Sequence, residues 1–203
     1  MRKEKQVSSY QQVLSQPRRP PLSLSPSGDM LGVSVALSKD GRLLGVGAPY
    51  HAADGRAQSG QVYFWEDIGF VVTPRWKKSR ASMFGSAETD CFGWSIALDE
   101  TASRVIIGAP IDGVLDKPGY AQVYQFTGIR DEWTRLGGDL SLAQGFNRFG
   151  YSVSMNGVGN RIAIGAYNST TDIGANSGRV ETFELRGRAW EPMSDSLIGK
   201  HGS

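Results

Sequence analysis

Three stretches of the sequence align without gaps, and this repeat constrains the fold more than any other feature. Each stretch contains two Gly residues 15 positions apart: Gly32 and Gly47, Gly93 and Gly108, Gly150 and Gly165. The stretches are LGVSVALSKDGRLLGVGAPY (31–50), FGWSIALDETASRVIIGAPI (92–111) and FGYSVSMNGVGNRIAIGAYN (149–168). The copies begin 61 and then 57 residues apart. A repeat of this kind predicts units that stack on one another, because one unit alone cannot bury its apolar face.

Each copy is predicted to form four short β-strands. The first strand alternates bulky and small residues, which places the bulk on one face. The second strand is almost continuously apolar, as expected when both faces are covered. The turns between them (SKDG, DETAS and NGVGN) contain the Asp, Gly and Asn residues that tight hairpins use. A third strand is expected around Val62, Val123 and Val180, and a weaker fourth strand runs from Trp76, Trp133 and Trp190 to Met83, Leu140 and Leu197.

Four strands per repeat are typical of β-propeller blades, which are four-stranded sheets arranged around a channel. We therefore predict an all-β fold, a β-propeller segment with three four-stranded blades at about 28–84, 89–141 and 146–198. Because the period places the next Gly at position 207, we expect either a fragment of a longer protein or a partial blade split between the termini, from residues 10–24 and 190–197. Residues 1–27 are basic and rich in Pro and Ser, which predicts a tail that adds at most a partial outer strand.

The Phe-Gly and Gly-Ala-Pro groups at the ends of these copies resemble FG-GAP repeats, the blade units of integrin α-chain propellers. The resemblance covers roughly residues 10–203. Leu31 stands in place of Phe in the first copy, and Tyr167 stands in place of Pro in the third. The matching motif positions are Gly32, Gly47, Pro49, Phe92, Gly93, Gly108, Pro110, Phe149, Gly150 and Gly165. The resemblance implies an extracellular or cell-surface module of the kind used in cell adhesion.

The sequence departs from this family's pattern in the turn between the two motifs. Members that bind calcium carry several closely spaced Asp residues there. The turns of this chain contain too few carboxylates for an ion that takes six to eight oxygen ligands. We therefore expect no calcium at this place, and the residue pattern predicts no other metal and no cofactor.

The catalytic candidates are weak, so the chain is not expected to be an enzyme. Ser95 follows Gly93 as in a Gly-x-Ser-x-Gly elbow, but the same Ser recurs as Ser34 and Ser152, whereas a hydrolase needs one nucleophile with one base. The two His residues are His51 and the near-terminal His201. The single Cys residue, Cys91, has no basic neighbour that would make its thiol reactive.

The loops that follow Gly-Ala-Pro are predicted to carry the binding site, since they connect equivalent strands and gather on one face of the propeller. The candidate binding residues are His51, Asp54, Arg56, Asp112, Asp116, Lys117, Asp172 and Asn176. Asn168 begins an N-glycosylation sequon on the same surface. Trp94 and Tyr151 occupy equivalent positions and are assigned to packing between blades.

These observations favour a non-enzymatic module that recognises a protein or a glycan through those loops. Two alternatives remain: a fragment of a larger FG-GAP hydrolase or lipase-like enzyme whose active site lies outside the chain, and a purely structural assembly unit. The formal net charge of +2 does not suggest a nucleic-acid partner, and no stretch of about 18 apolar residues predicts a membrane span. Self-association, or further blades, would close the propeller. The sequence contains no apolar signal segment, and it does not specify a compartment.

Overall fold

A computed structural model describes residues 28–69, 75–111, 118–128, 131–143 and 147–199. All secondary-structure elements in these ranges are β-strands, and they form three antiparallel sheets that follow one another along the chain. The predicted tail (1–27) lies outside the described residues. The all-β prediction with three successive blades is confirmed.

The first sheet illustrates the design that all three share. It contains β1 (Val35–Leu37), β2 (Leu43–Ala48) and β3 (Gln61–Asp67), paired in that order. The fourth strand position is filled by two short pieces, β4 (Trp76–Lys78) and β5 (Met83–Phe84), and both pair with β3. Each sheet therefore has four strand positions, with an interrupted outer strand.

The second and third sheets repeat this order. The second contains β6 (Ser95–Leu98), β7 (Arg104–Ala109), β8 (Tyr120–Phe126), β9 (Trp133–Arg135) and β10 (Leu140–Ser141). The third contains β11 (Ser152–Met155), β12 (Arg161–Ala166), β13 (Arg179–Arg186), β14 (Ala189–Pro192) and β15 (Leu197–Ile198). Because β14 and β15 pair with β13, residues 190–197 supply the outer strand of the third sheet; residues 10–24 lie outside the described part of the chain.

The register of the third strand differs from the sequence alignment in the middle copy. Val62 pairs with Gly47 and Val180 pairs with Gly165, but Gly108 pairs with Ala121. Ala121, rather than Val123, is therefore the structural counterpart of the two valines, because the loop of the second copy is two residues shorter. A shift of two residues keeps every side chain on its original face.

The apolar core lies between successive sheets. One cluster joins Val62, Phe64 and Met83 of the first sheet to Phe92 and Ile107 of the second sheet and its entering segment. A second cluster joins the second sheet to the third in the same way, with Phe149 in the place of Phe92. Phe92 and Phe149 are fully buried. The recurring Phe of the repeat is therefore a plug that each blade inserts against the blade before it.

A Ser and two Gly residues set the distance between blades. The Ser34 hydroxyl donates a hydrogen bond of 2.7 Å to the carbonyl of Gly93, and the Ser95 hydroxyl donates one of 2.8 Å to the carbonyl of Gly150. These carbonyls approach the second Gly of the preceding copy so closely that a Cβ atom on Gly108 would lie 1.9 Å from the Gly150 oxygen. The recurring Ser therefore joins neighbouring blades, and the recurring Gly makes room for the carbonyl that it binds.

The turn between the first two strands is closed by a side-chain oxygen in every copy. Ser38 accepts hydrogen bonds from the backbone N–H groups of residues 42 and 43. Asp99 and Asn156 accept the equivalent pairs of hydrogen bonds, from residues 103 and 104 and from residues 160 and 161. The oxygen that caps each turn thus already has backbone partners.

The close approach at Gly108 yields a stability prediction with an internal control. We expect Gly108→Ala to lower the free energy of unfolding by about 3 kcal/mol, since the added methyl group would overlap backbone atoms of the next blade. Gly138→Ala is the control, because Gly138 is exposed, does not have a positive φ, and a Cβ atom there would meet nothing within 4 Å. We expect this control to cost less than about 1 kcal/mol. Urea unfolding at low micromolar concentration measures both, and equal losses would contradict the proposed role of the interblade contact.

Candidate functional site

Four aromatic side chains form a continuous row across the three blades at one end of the sheets. The ring centroids of Tyr50 and Trp94 are 6.4 Å apart, those of Trp94 and Tyr151 are 5.4 Å apart, and those of Tyr151 and Tyr167 are 4.5 Å apart. Tyr151 is 38% exposed and Tyr167 is 51% exposed, while Tyr50 and Trp94 are half-buried. We call these four residues the aromatic row.

The strand order explains why these residues meet. Trp94 and Tyr151 directly follow Gly93 and Gly150, at the start of the first strand of their blades. Tyr50 and Tyr167 follow the second strand, which ends at Ala48 and Ala166. In an antiparallel pair the start of one strand lies beside the end of the next, so both kinds of position lie at the same end of the sheet. The Trp94–Tyr151 contact agrees with the predicted packing between blades, but the row also leaves two tyrosines open to solvent.

The loops that begin beside the row have the same internal structure in the first and third blades. In each loop a β-bridge closes a tight turn, between Ala53 and Arg56 in one and between Thr171 and Gly174 in the other. Backbone hydrogen bonds join the two ends of each loop. The N–H of residue 60 donates to the carbonyl of residue 51, and the N–H of residue 178 donates to the carbonyl of residue 169. These two loops are therefore regular, internally hydrogen-bonded structures.

The predicted binding residues occupy different parts of these loops. Asp54 and Asp172 lie at equivalent, exposed turn positions, and Asn176 is exposed nearby. Asp54 also forms a solvent-exposed ion pair of 3.3 Å with Arg56. Asp112, Asp116 and Lys117, from the loop of the second blade, lie outside the described residues. Asn168 is half-buried, whereas Thr170 of its sequon is exposed.

His51 is the predicted binding residue that is turned inward. Its Nδ1 atom lies 2.5 Å from a carboxylate oxygen of Asp29, and the two side chains are only 18% and 10% exposed. The His51 ring also packs against Tyr63 and Phe84. This side chain connects the loop to the segment that precedes the first strand, so its position favours a structural role.

A recurring polar residue two positions before the Phe-Gly or Leu-Gly pair was not identified from the sequence. It is Asp29 in the first copy, Asp90 in the second and Asn147 in the third, and all three are buried. One oxygen of Asp90 accepts hydrogen bonds from the N–H groups of residues 86 and 87 and from the hydroxyl of Tyr120, at 2.7–3.0 Å. The Asn147 amide oxygen accepts from the N–H of Phe149. The signal was available, because the three residues have the same spacing as the repeat.

The described residues contain no group of three His, Cys, Asp or Glu side chains placed to hold a metal ion. Cys91 is buried at the point where the chain enters the second blade. Within the ranges that the structure describes, no helix has the length and hydropathy needed to cross a membrane.

Comparison with known proteins shows the fold but not a family. No protein-family model matches the sequence, and no curated protein matches it. Saccharomyces cerevisiae Sqt1, a WD40-type β-propeller, matches with a TM-score of 0.53 and 10% identity over 83% of this chain and 36% of that chain. Kuenenia stuttgartiensis hydrazine synthase matches with a TM-score of 0.48 and 12% identity over 81% of this chain and 36% of that chain. Putative TolB from Agrobacterium tumefaciens gives a TM-score of 0.30 and 11% identity over 85% of this chain and 65% of that chain.

The chain therefore spans about a third of the length of the first two solved structures that it matches. The likeness to Sqt1, taken with the three stacked four-stranded sheets, establishes a β-propeller fold. At 10% identity this likeness concerns the fold alone.

Two half-buried tyrosines of β8 give a prediction for alkaline pH. Burial, reinforced by the Asp90 carboxylate, raises the pKa of Tyr120, and burial raises the pKa of Tyr124 to about 12. Above pH 10 the unfolded chain would release both phenolic protons while the folded chain retains them, so stability should fall as the pH rises from 10 towards 12. We expect the double variant Tyr120→Phe and Tyr124→Phe to show a shallower loss of stability over this interval. Urea midpoints measured across this pH interval test this, and identical slopes for the two proteins would contradict it.

Proposed function

We propose that the chain is a non-enzymatic binding module that recognises a protein through the aromatic row and the loops beside it. The observation that carries this proposal is the row itself, in which four contacting rings span three blades and two of them are exposed. Tyr and Trp dominate the residues that contribute most to protein–protein binding, because each offers a large apolar area and a polar tip. A continuous row of them is unusual on a surface with no partner.

The row is well suited to binding because its rings are already held in place. Two of its three ring contacts cross between blades, so the positions of the rings follow from the interblade packing. A surface that is ordered before binding loses less conformational entropy when the partner arrives. The exposed carboxylates of Asp54 and Asp172, in the adjoining loops, would add polar contacts at the rim.

The positions of the weak catalytic candidates support a non-enzymatic role. The hydroxyls of Ser34 and Ser95 are bonded to backbone carbonyls of the next blade. The His51 ring pairs with Asp29 and packs against Tyr63 and Phe84, so its described contacts do not include these serines. Calcium is not required in this proposal, because the turn of each copy is closed by its own Ser, Asp or Asn side chain.

We also propose, from the sequence resemblance, that the blades are FG-GAP repeats in an adhesion-type, surface-exposed protein. The burial of Phe92 and Phe149 and the tight passage of the Gly carbonyls give the residues of that motif a physical role in this chain. If the chain enters the secretory pathway, the half-buried Asn168 is the residue of the sequon that would carry the glycan.

A glycan is the second candidate ligand, and the third blade favours it. The exposed ring of Tyr167 directly precedes a loop that carries the exposed polar residues Asp172 and Asn176. An apolar ring face beside carboxylate and amide groups offers packing together with hydrogen bonds, which a sugar hydroxyl can use.

Binding can be tested with two defined probes, a displayed peptide library selected on the immobilised chain and a glycan array. We expect one of them to yield a ligand whose affinity falls by about tenfold or more in the double variant Tyr151→Ala and Tyr167→Ala, because the exposed ring area is lost. Val158→Ala is the control, since Val158 is 72% exposed but lies in the turn at the other end of the third sheet. A peptide ligand supports protein recognition and a sugar supports the second candidate. Ligands that are insensitive to the tyrosine variants, or no ligand from either probe, would refute the proposal.

A further inference from the structure

The third sheet has a face that the other two sheets bury, and we call it the open face. Val62 and Ala121, which occupy equivalent positions in the first two sheets, are fully buried, whereas Val180 in the third sheet is 36% exposed. In the outer strand, Met83 and Leu140 are each 8% exposed and Leu197 is 62% exposed. The sequence places the same apolar residues on this face as on the two faces that a following blade covers.

The open face also keeps the polar and steric features of an interblade contact. Ser152 is the counterpart of Ser34 and Ser95, and it is exposed. Gly165 is the counterpart of Gly108, which makes room for a carbonyl of the next blade. Two shallow cavities of about 330 and 130 Å³ lie here, and the smaller one is lined by Ser152, Gly165 and Val180. The donor and the space for a Gly carbonyl are both present.

Two further Gly residues of the third blade match the place where a Phe plug enters. In the first blade a Cβ atom on Gly60 would lie 2.2 Å from the Phe92 carbonyl oxygen, while one on Gly85 would lie 2.0 Å from the Ser59 carbonyl oxygen of its own blade and 3.0 Å from the Phe92 Cβ. Gly178 and Gly199 stand at the equivalent positions of the third blade, as the strand pairings show. The open face is therefore shaped to receive the first strand of another blade with its Gly.

The opposite end of the chain presents such a strand. Val35 in β1 is 63% exposed, whereas its counterpart Ile96 is 8% exposed against the preceding blade. The Gly32 N–H donates to the Gly47 carbonyl, as Gly93 and Gly150 do to Gly108 and Gly165. The Gly32 carbonyl is therefore held like the carbonyls that Ser34 and Ser95 bind.

On the outward face of the first blade, the exposed apolar side chain lies on β1, and residues of the neighbouring strands are buried. Val46 and Tyr63, on the neighbouring strands, are buried in a cluster with other first-blade residues. At the internal junctions, β6 likewise contacts β1 and β2, and β11 contacts β6 and β7. The first strand of the following blade therefore makes the close backbone contacts of a junction, while side chains of its second strand, such as Ile107, complete the apolar core.

Charge also matches between the two ends. At the internal junction, Arg104 donates to the Gly159 carbonyl in the turn of the third blade, at 3.0 Å. Arg161 is the counterpart of Arg104 on the open face, and the counterpart of the turn is Asp40-Gly41 in the first blade. The hydrogen bond from Ser38 lowers the pKa of Asp40, so this turn carries a carboxylate at neutral pH. Arg161, which pairs with Glu184 in its own sheet at 2.9 Å, would therefore face a further carboxylate and a carbonyl.

We propose that two copies of the chain join head to tail, with the open face of each copy on β1 of the other, and form a closed ring of six blades. In this ring Ser152 of one copy donates to the Gly32 carbonyl of its partner copy, which repeats the internal contact twice more. Closed propellers contain about four to eight blades, so six lies within the known range. Two identical heterologous contacts related by a two-fold axis close the assembly, with no open face left to extend it.

Sedimentation analysis of the full chain tests this proposal. We expect a species of twice the 22.0 kDa chain mass at micromolar concentration. Val35→Asp and Leu197→Asp, which alter opposite ends, should each raise the dimer dissociation constant by about 100-fold or more, because each would bury an unpaired carboxylate. Both positions are exposed in one chain, so folding should survive, and circular dichroism checks it. Ile68→Asp is the control, since Ile68 is exposed at the end of β3 and outside both contacts.

Mixing the two variants distinguishes head-to-tail pairing from other arrangements. A mixed pair has one junction with neither substitution, whereas each variant alone has a substitution in both junctions. We therefore expect the mixture to regain dimers that neither variant forms.

A chain that stays monomeric at about 100 µM, well above the range of ordinary specific contacts, would overturn the proposal. Loss of dimers with Leu197→Asp but not with Val35→Asp would overturn it as well, in favour of two open faces paired with each other, and Val180→Asp provides a second open-face variant for that comparison.

Discussion

The hydrogen bond from a Ser hydroxyl to a Gly carbonyl of the next blade is the contact on which the rest of the structure depends. The bond itself contributes on the order of 1 kcal/mol. Its larger effect is geometric, because the carbonyl must pass where a Cβ atom would otherwise lie, 1.9 Å from the oxygen at Gly47 and again at Gly108. This requirement fixes the depth to which each blade enters the one before it. The burial of Phe92 and Phe149 depends on that depth, so the apolar core and the polar contact support each other.

The aromatic row is a consequence of the same geometry. Trp94 and Tyr151 each directly follow the Gly whose carbonyl is bound by the preceding blade. Their rings are therefore placed at a constant offset from one blade to the next, and the 5.4 Å separation between them is set by the junction. The proposed binding surface thus rests in part on Trp94 and Tyr151, which hold equivalent positions in the repeat.

The sequence predicted the repeat features well because they are local and occur three times. The Gly spacing, the alternation in the first strand and the apolar second strand identify three blades without knowledge of any contact. The aromatic row could not be predicted in the same way, since Tyr50 and Tyr167 occupy different positions in their copies and meet Trp94 and Tyr151 only when the blades are packed. The inward turn of His51 likewise depends on Asp29, a residue 22 positions away that the alignment did not include.

A closed ring would have a consequence for the shape of the binding surface. The position of Trp94 and Tyr151 is occupied by Val33 in the first blade, and Val33 is exposed. At each junction between two copies, the exposed Tyr167 end of one row would thus approach an aliphatic residue, because the repeat offers no ring at that position. Six blades would carry two separate arcs of aromatic side chains related by the two-fold axis, and not one continuous circle. Such a ring would present two identical sites on one face, and a partner that itself carries two copies of its binding segment would gain affinity from engaging both.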